Sequence, residues 1–217
     1  MINVLIAYDD TDDKLGGYFC RCKDHLTVTL QGEIEDGRLL TSHEIAGVNC
    51  RLGYIEITHE SLKEKPFIMV VYSHGVEDAV VSHGTAFIKA GNDNSFYQDS
   101  FFYTNSCLSG KKLGRDLITQ NCKAFIGYEQ SVFAFKEENE NISINCDNLG
   151  LTAFLTTDIT AFDAYTQMKN YLTDKSKDLL KFGDILTSGM LISTREALFF
   201  DGDKTLKKEH LSADIKK

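Results

Sequence analysis

The sequence predicts an α/β fold with a mainly parallel central sheet and helices on both faces, and two kinds of segment carry that reading. Ile2–Tyr8 (INVLIAY) and Phe67–Tyr72 (FIMVVY) are continuous apolar runs rich in β-branched residues, the pattern of strands buried on both sides. Phe101–Gly114 (FFYTNSCLSGKKLG) reads as a strand that ends on Asn105-Ser106-Cys107 just before a helix opens. A strand, turn and helix in that order put the thiol at the C-terminal edge of the sheet, where ligands bind in open α/β folds. Phe67–Tyr72 in turn runs into Ser73-His74-Gly75. Parallel neighbouring strands would therefore carry His74 and Cys107 to one edge from separate loops. A cysteine and a histidine so placed are the minimum for a thiolate nucleophile.

Along the chain, the first strand ends in an acidic cluster, Asp9, Asp10, Asp12 and Asp13. Such a cluster is a solvated loop, the wall of a carboxylate-lined pocket, or a divalent-cation site. It lacks the glycine and distal glutamate of an EF-hand loop. After Gly16-Gly17, Tyr18–Leu30 reads as a helix, with Phe19, Cys22, Leu26 and Leu30 three or four apart on one face. Cys20, Cys22 and His25 match no strong zinc spacing, so Cys22 is assigned to the core and no metal is expected. Glu35-Asp36-Gly37 is a turn, Leu39–Glu56 holds at least one short strand, and Thr58–Lys65 is expected as a short helix capped by Thr58.

Phe87–Lys89, Gly91–Asn94 and Phe96-Tyr97 read as a hairpin and its turn. A second His-Gly pair, His83-Gly84, follows only the short run Ala79–Val81, so His74 is preferred as the functional histidine. Lys111–Asn121 is helical with Leu113, Leu117 and Ile118 inward. Ala124–Phe135 supplies another strand and a continuation, and the polar stretch Lys136–Leu149 is expected as a functional or mobile loop. From Asp158 to about Leu198 the pattern is helical, through Phe162, Tyr165, Met168 and Leu172 to Leu179, Leu180, Ile185 and Leu186. Leu198–Phe200 closes a last strand. Residues 1–203 are expected as one domain and the basic segment 204–217 as a loosely held tail.

Bulk properties narrow the function. A formal charge of −9 and a pI near 5.1 disfavour direct nucleic-acid binding, which needs a basic surface, and leave room for basic peptides. MINVLIAYDD has no basic n-region and too short an apolar run for a signal peptide, and no run reaches the length of a membrane span. A cytoplasmic protein is therefore expected, its six cysteines reduced.

Taken together, Val70–Gly75, Tyr103–Gly110 and, more weakly, Ala124–Gly127 resemble the caspase-like (clan CD) cysteine peptidases, which include caspases, metacaspases, gingipains, legumain, separase and the CHAT-type bacterial peptidases. The likeness spans roughly residues 1–127 in order of elements. It implies a three-layer sandwich and a peptidase needing no cofactor. In that reading Cys107 is the nucleophile, His74 protonates the leaving amine, and the backbone N–H groups of Gly75 and Cys107 form the oxyanion hole. No third triad member is evident. The family's P1 pocket is lined partly by the loop after the first strand, so Asp9, Asp10 and Asp12, with Asp158 as a further wall residue, would select arginine or lysine. The absence of arginine from that loop argues against caspase-type aspartate specificity. The expected partners are a protein or peptide substrate and an activating accessory protein. Two other classes compete: a catalytically silent caspase-like interaction domain, and a Rossmann-like metal or nucleotide binder, which would want a glycine-rich phosphate loop that is missing here.

Overall fold

The computed structural model describes residues 1–61, 66–135 and 139–212. Strands β1 (Ile2–Tyr8), β2 (Leu39–Ala46), β3 (Phe67–Tyr72), β7 (Phe101–Thr104), β8 (Ala124–Tyr128) and β9 (Leu198–Gly202) form one six-stranded sheet in the order β2-β1-β3-β7-β8-β9. All neighbours are parallel except β8 and β9, which run antiparallel. A second, antiparallel sheet holds β4 (His74–Val76), β5 (Ala79–Ser82) and β6 (Thr85–Lys89).

The apolar runs become strands because both of their faces are covered. Along β3, Ile68, Val70 and Tyr72 join one hydrophobic cluster, while Phe67, Met69 and Val71 join another on the opposite side. The first cluster is completed by helices α1 (Gly16–Glu35), α4 (Glu140–Thr156), α5 (Ala161–Lys181) and α6 (Ile185–Ala197). The second takes Ile55 from α2 (Leu52–Ser61), Leu113 and Leu117 from α3 (Leu113–Thr119), and Val80, Phe87 and Ile88 from the small sheet. Each large apolar side chain buried this way contributes about 1.5–3 kcal/mol. Cys22, Phe19, Leu26 and Leu30 line the inner face of α1, as their spacing predicts.

Several local expectations give way to tertiary context. Helix α2 starts at Leu52, and Thr58 does not cap it: its hydroxyl bonds back to the Tyr54 carbonyl at 2.8 Å, inside the helix. Residues 62–65 of that expected helix lie outside the described residues. The hairpin is β5–β6, one step earlier than the sequence suggests, and Ser95–Tyr97 is a 3-10 turn. Its two-residue loop is His83-Gly84, with φ of +50° and +71°, the signature of a type I′ turn.

The stretch expected as a polar loop is mostly helix α4, because Ile144, Leu151 and Leu155 give it a buried stripe that its asparagines conceal. Residues 136–138 lie outside the described set. Nor are residues 204–212 loose: Leu206 and Leu211 are buried, Lys207 pairs with Asp158, and the N-terminal amine donates to Ser212 Oγ at 3.0 Å. Residues 213–217 lie outside the described residues. At the α5–α6 turn, Leu180, Phe182, Ile185 and Leu186 are exposed rather than packed inward. Among the described residues no helix is long and apolar enough to cross a membrane.

Candidate functional site

Parallel pairing sets the site. The C-terminal ends of β1, β3, β7 and β8 share one edge, so the segments after them converge there. The loop after β1 is tied to the end of β3 by the Asp9 amide, which donates to the Tyr72 carbonyl at 3.0 Å. The loops after β3 and β7 are stitched together by small hydroxyl side chains. Ser106 Oγ donates to the Ser73 carbonyl at 2.9 Å, Thr104 Oγ1 donates to the Val71 carbonyl at 2.9 Å, and the Ser106 amide donates to Thr104 Oγ1 at 3.0 Å. Immediately after Cys107 the chain turns sharply through Leu108 at φ +61°, a left-handed conformation that a leucine adopts only when its surroundings impose it.

Gly75 explains how close the two loops come. A Cβ there would lie 2.3 Å from the Cys107 carbonyl oxygen and 3.1 Å from its amide nitrogen. Only glycine lets the backbone after His74 press against the backbone of Cys107.

His74 and Cys107 line one open cleft. The His74 ring is held from two sides: Nε2 lies 3.1 Å from Asp12 Oδ2, and the Phe19 ring meets it edge-on at 5.6 Å. Partial burial pushes the Asp12 carboxyl up, but the Leu15 and Lys14 amides, with His74, outweigh it and hold the group below the usual carboxylate value. With Nε2 facing Asp12, Nδ1 is the ring nitrogen left to exchange a proton with a reacting group. His74 makes no hydrogen bond to Cys107. The sulfur rests instead against the segment after β8, accepting from the Val132 amide at 3.3 Å and donating to its carbonyl at 3.8 Å. Burial pushes the Cys107 thiol up; the Val132 amide offsets this in part, and the charge of Asp147 adds to it.

The acidic residues expected in the P1 pocket lie elsewhere. None of Asp9, Asp10, Asp12 and Asp158 lines the cleft. Asp9 is buried and accepts from the Thr11 hydroxyl at 2.8 Å, and Thr11 in turn meets His83 Nε2 at 2.5 Å. Its carboxylate is used to anchor the β5–β6 turn. Asp10 is exposed beside Gly47, and Asp12 serves His74. Asp158 is exposed and paired with Lys207 at 2.9 Å. It lies beyond the far end of α4, whose nine helical steps from Asp147 to Thr156 carry the chain about 13 Å away from the cleft.

Among the described residues, the acid that does line the cleft is Asp147, on α4. Tyr18 donates to its Oδ2 at 2.7 Å, Asn105 Nδ2 to Oδ2 at 3.0 Å, and Tyr128 to Oδ1 at 2.8 Å. Burial raises its pKa above the usual carboxylate value, and these donors offset the rise in part. Next to it, Asn148 accepts from the Tyr72 hydroxyl and donates to the Cys22 carbonyl at 3.0 Å. Sequence reasoning misses this pair because the surrounding stretch is polar. One signal is present: Ile144, Asp147, Asn148, Leu151 and Leu155 share a helical stripe, and an acid on an apolar stripe must find partners. No family model matches the chain, and no curated protein matches it.

Proposed function

We propose that this chain is a caspase-like cysteine peptidase, a three-layer sandwich that hydrolyses peptide bonds through Cys107 and His74. The observation that carries the reading is the convergence of these two side chains on one cleft, with the Gly75 backbone pressed against Cys107. The Cys107 thiolate attacks the scissile carbonyl carbon, and the resulting oxyanion is received by the backbone N–H groups of Gly75 and Cys107. As the C–N bond breaks, His74 gives its proton to the departing amine, leaving a thioester. Water then adds to the thioester, His74 takes a proton from it, and the acid product leaves with the thiol restored. Asp12 is a positioning residue: it fixes the ring through Nε2, supplying the third member that the sequence left unidentified.

A second reading, a catalytically silent domain of the same fold used for interaction, draws on one feature. The sulfur is bonded to Val132 rather than to His74, and its burial disfavours the thiolate. Substrate must therefore bring sulfur and imidazole together, as catalytic hydrogen bonds tighten in reactant complexes. A peptide carrying an acyloxymethyl ketone separates the two readings. Covalent capture at Cys107 that is lost in His74→Ala supports the peptidase; a thiol that such peptides label no faster than free cysteine supports the silent domain.

A further inference from the structure

Where the cleft beside Cys107 opens to solvent, its wall is apolar. Leu15, from the loop after β1, and Val132, Phe133 and Ala134, from the segment after β8, all line it. Leu15, Val132 and Ala134 are half-buried, and Phe133 keeps 49% of its surface. Single exposed apolar side chains are ordinary, but four gathered at one opening mark a surface that another molecule covers. The same segment touches the nucleophile, since the Val132 amide donates to the Cys107 sulfur at 3.3 Å.

Charge is scarce in this cleft. Among the described residues no lysine or arginine lines it, and Asp147 is the acid that does. Asp147 is already committed. Tyr18 and Asn105 donate to its Oδ2 and Tyr128 to its Oδ1, so four elements of the fold are tied together through it. It keeps 9% of its surface, and burial favours its protonated form. A cationic side chain entering here would give up its water for a carboxyl that is buried and already satisfied, and an anionic one would find no cation.

We propose that the wall formed by Leu15, Val132, Phe133 and Ala134 receives an uncharged, apolar side chain, that of the substrate residue whose carbonyl Cys107 attacks. This assignment rests on the peptidase reading for the identity of that residue. The acyl group stays on the sulfur while the amine departs with the proton of His74, so the wall bonded to the sulfur borders the acyl side. Phe133 is the specificity-determining residue, because it offers the largest apolar surface at the opening. Lysine and arginine, which the acidic loop after β1 would suit, are disfavoured, since Asp9, Asp10 and Asp12 do not line the cleft.

The test uses peptides that differ only at P1, carrying norleucine, lysine, leucine or aspartate. Lysine is norleucine with a terminal ammonium, and aspartate is close to leucine in shape with charged oxygens in place of methyls, so each pair separates charge from size. Norleucine should exceed lysine, and leucine should exceed aspartate, by about 10²-fold or more in kcat/KM on the wild-type protein. Phe133→Ala should lower norleucine turnover by about tenfold while iodoacetamide labelling of Cys107 is unchanged. Phe133→Glu should lower norleucine turnover and raise that of lysine, narrowing the ratio between them. Because Phe133 is half exposed, both variants should fold, with a Tm close to that of the wild type. A wild-type preference for lysine or aspartate, or an unchanged norleucine-to-lysine ratio in Phe133→Glu, overturns the proposal and leaves the peptidase standing. No turnover of any peptide, with a norleucine-bearing acyloxymethyl ketone capturing Cys107 no faster than it captures free cysteine, removes both.

Discussion

His74-Gly75 and His83-Gly84 share a dipeptide and a small sheet, yet the chain needs each of their residues for a different reason. Gly84 sits at φ +71° with nothing near the place of a Cβ, so it is glycine for the sake of backbone conformation. Gly75 is glycine for the sake of space, since the backbone of Cys107 fills the place a Cβ would take. His74 enters the cleft with Asp12 behind it; His83 is a turn residue whose ring reaches back to Thr11 and locks the hairpin onto the loop after β1. The contrast teaches that a dipeptide carries no function by itself. Its setting in the chain decides: a strand leading from His74 past Cys107, against a two-residue turn at His83.

The largest expected effect separates the two histidines. His74→Ala should lower peptide turnover by about 10²–10⁴-fold, and Cys107→Ala should abolish it, whereas His83→Ala should keep most of the activity. Turnover that survives His74→Ala and is lost in His83→Ala would invert the comparison. The glycines come next. Gly75→Ala should remove activity along with stability, because the strand must move away from Cys107. Gly84→Ala should cost about 1–2 kcal/mol of stability in a denaturant titration while the remaining folded protein stays active. Equal activity in the two variants would remove the argument from close approach.

The carboxylates behind the histidines should differ more mildly. Asp12→Asn is expected to lower kcat about tenfold or more with little change in KM, as befits a group that orients the base, and Cys107 labelling by a small thiol reagent should be unaffected. Asp9→Asn should act instead on stability, by about 1–3 kcal/mol, since a buried acceptor loses fit to its donors. Should Asp12→Asn alter only stability, its positioning role falls.

The smallest contrast lies in the free thiol. Only the thiolate is alkylated, and burial sets the Cys107 pKa above the ordinary thiol value of 9.0. Labelling by iodoacetamide should therefore be slow at neutral pH and keep rising as the pH passes 9. His74→Ala should leave that profile nearly unchanged, because the resting sulfur faces Val132. A labelling midpoint near neutrality that vanishes in His74→Ala would mean that the imidazole already activates the thiol before substrate arrives.

Much of this arrangement is written in local sequence. The runs INVLIAY, FIMVVY and FFYT contain no polar alternation, so they had to be strands covered on both faces, and parallel pairing is the arrangement that such covering favours. Their C-terminal ends then share one edge, which is why His74 and Cys107 could be assigned to one site without coordinates. The type I′ turn at His83-Gly84 was missed, the hairpin being read at residues 87–97, although glycine as the second of two loop residues between short β-branched runs is the local signal for it.

The partners of those side chains were not legible, because they come from elements far apart in the chain. Which of four neighbouring aspartates faces His74 depends on how the loop after β1 folds back, a choice fixed by amides at Lys14 and Leu15 and by space beside Gly47. The floor of the cleft joins Tyr18 from α1, Asn105 from the end of β7, Tyr128 from β8 and Asp147 from α4. Sequence determined the strands, the shared edge and the meeting of His74 and Cys107 at that edge, since hydrophobic periodicity and chain direction are local properties. Tertiary structure alone decided which carboxylate is solvated, which orients the histidine and which is buried in the cleft, because burial and hydrogen-bond geometry exist only once distant elements have packed together.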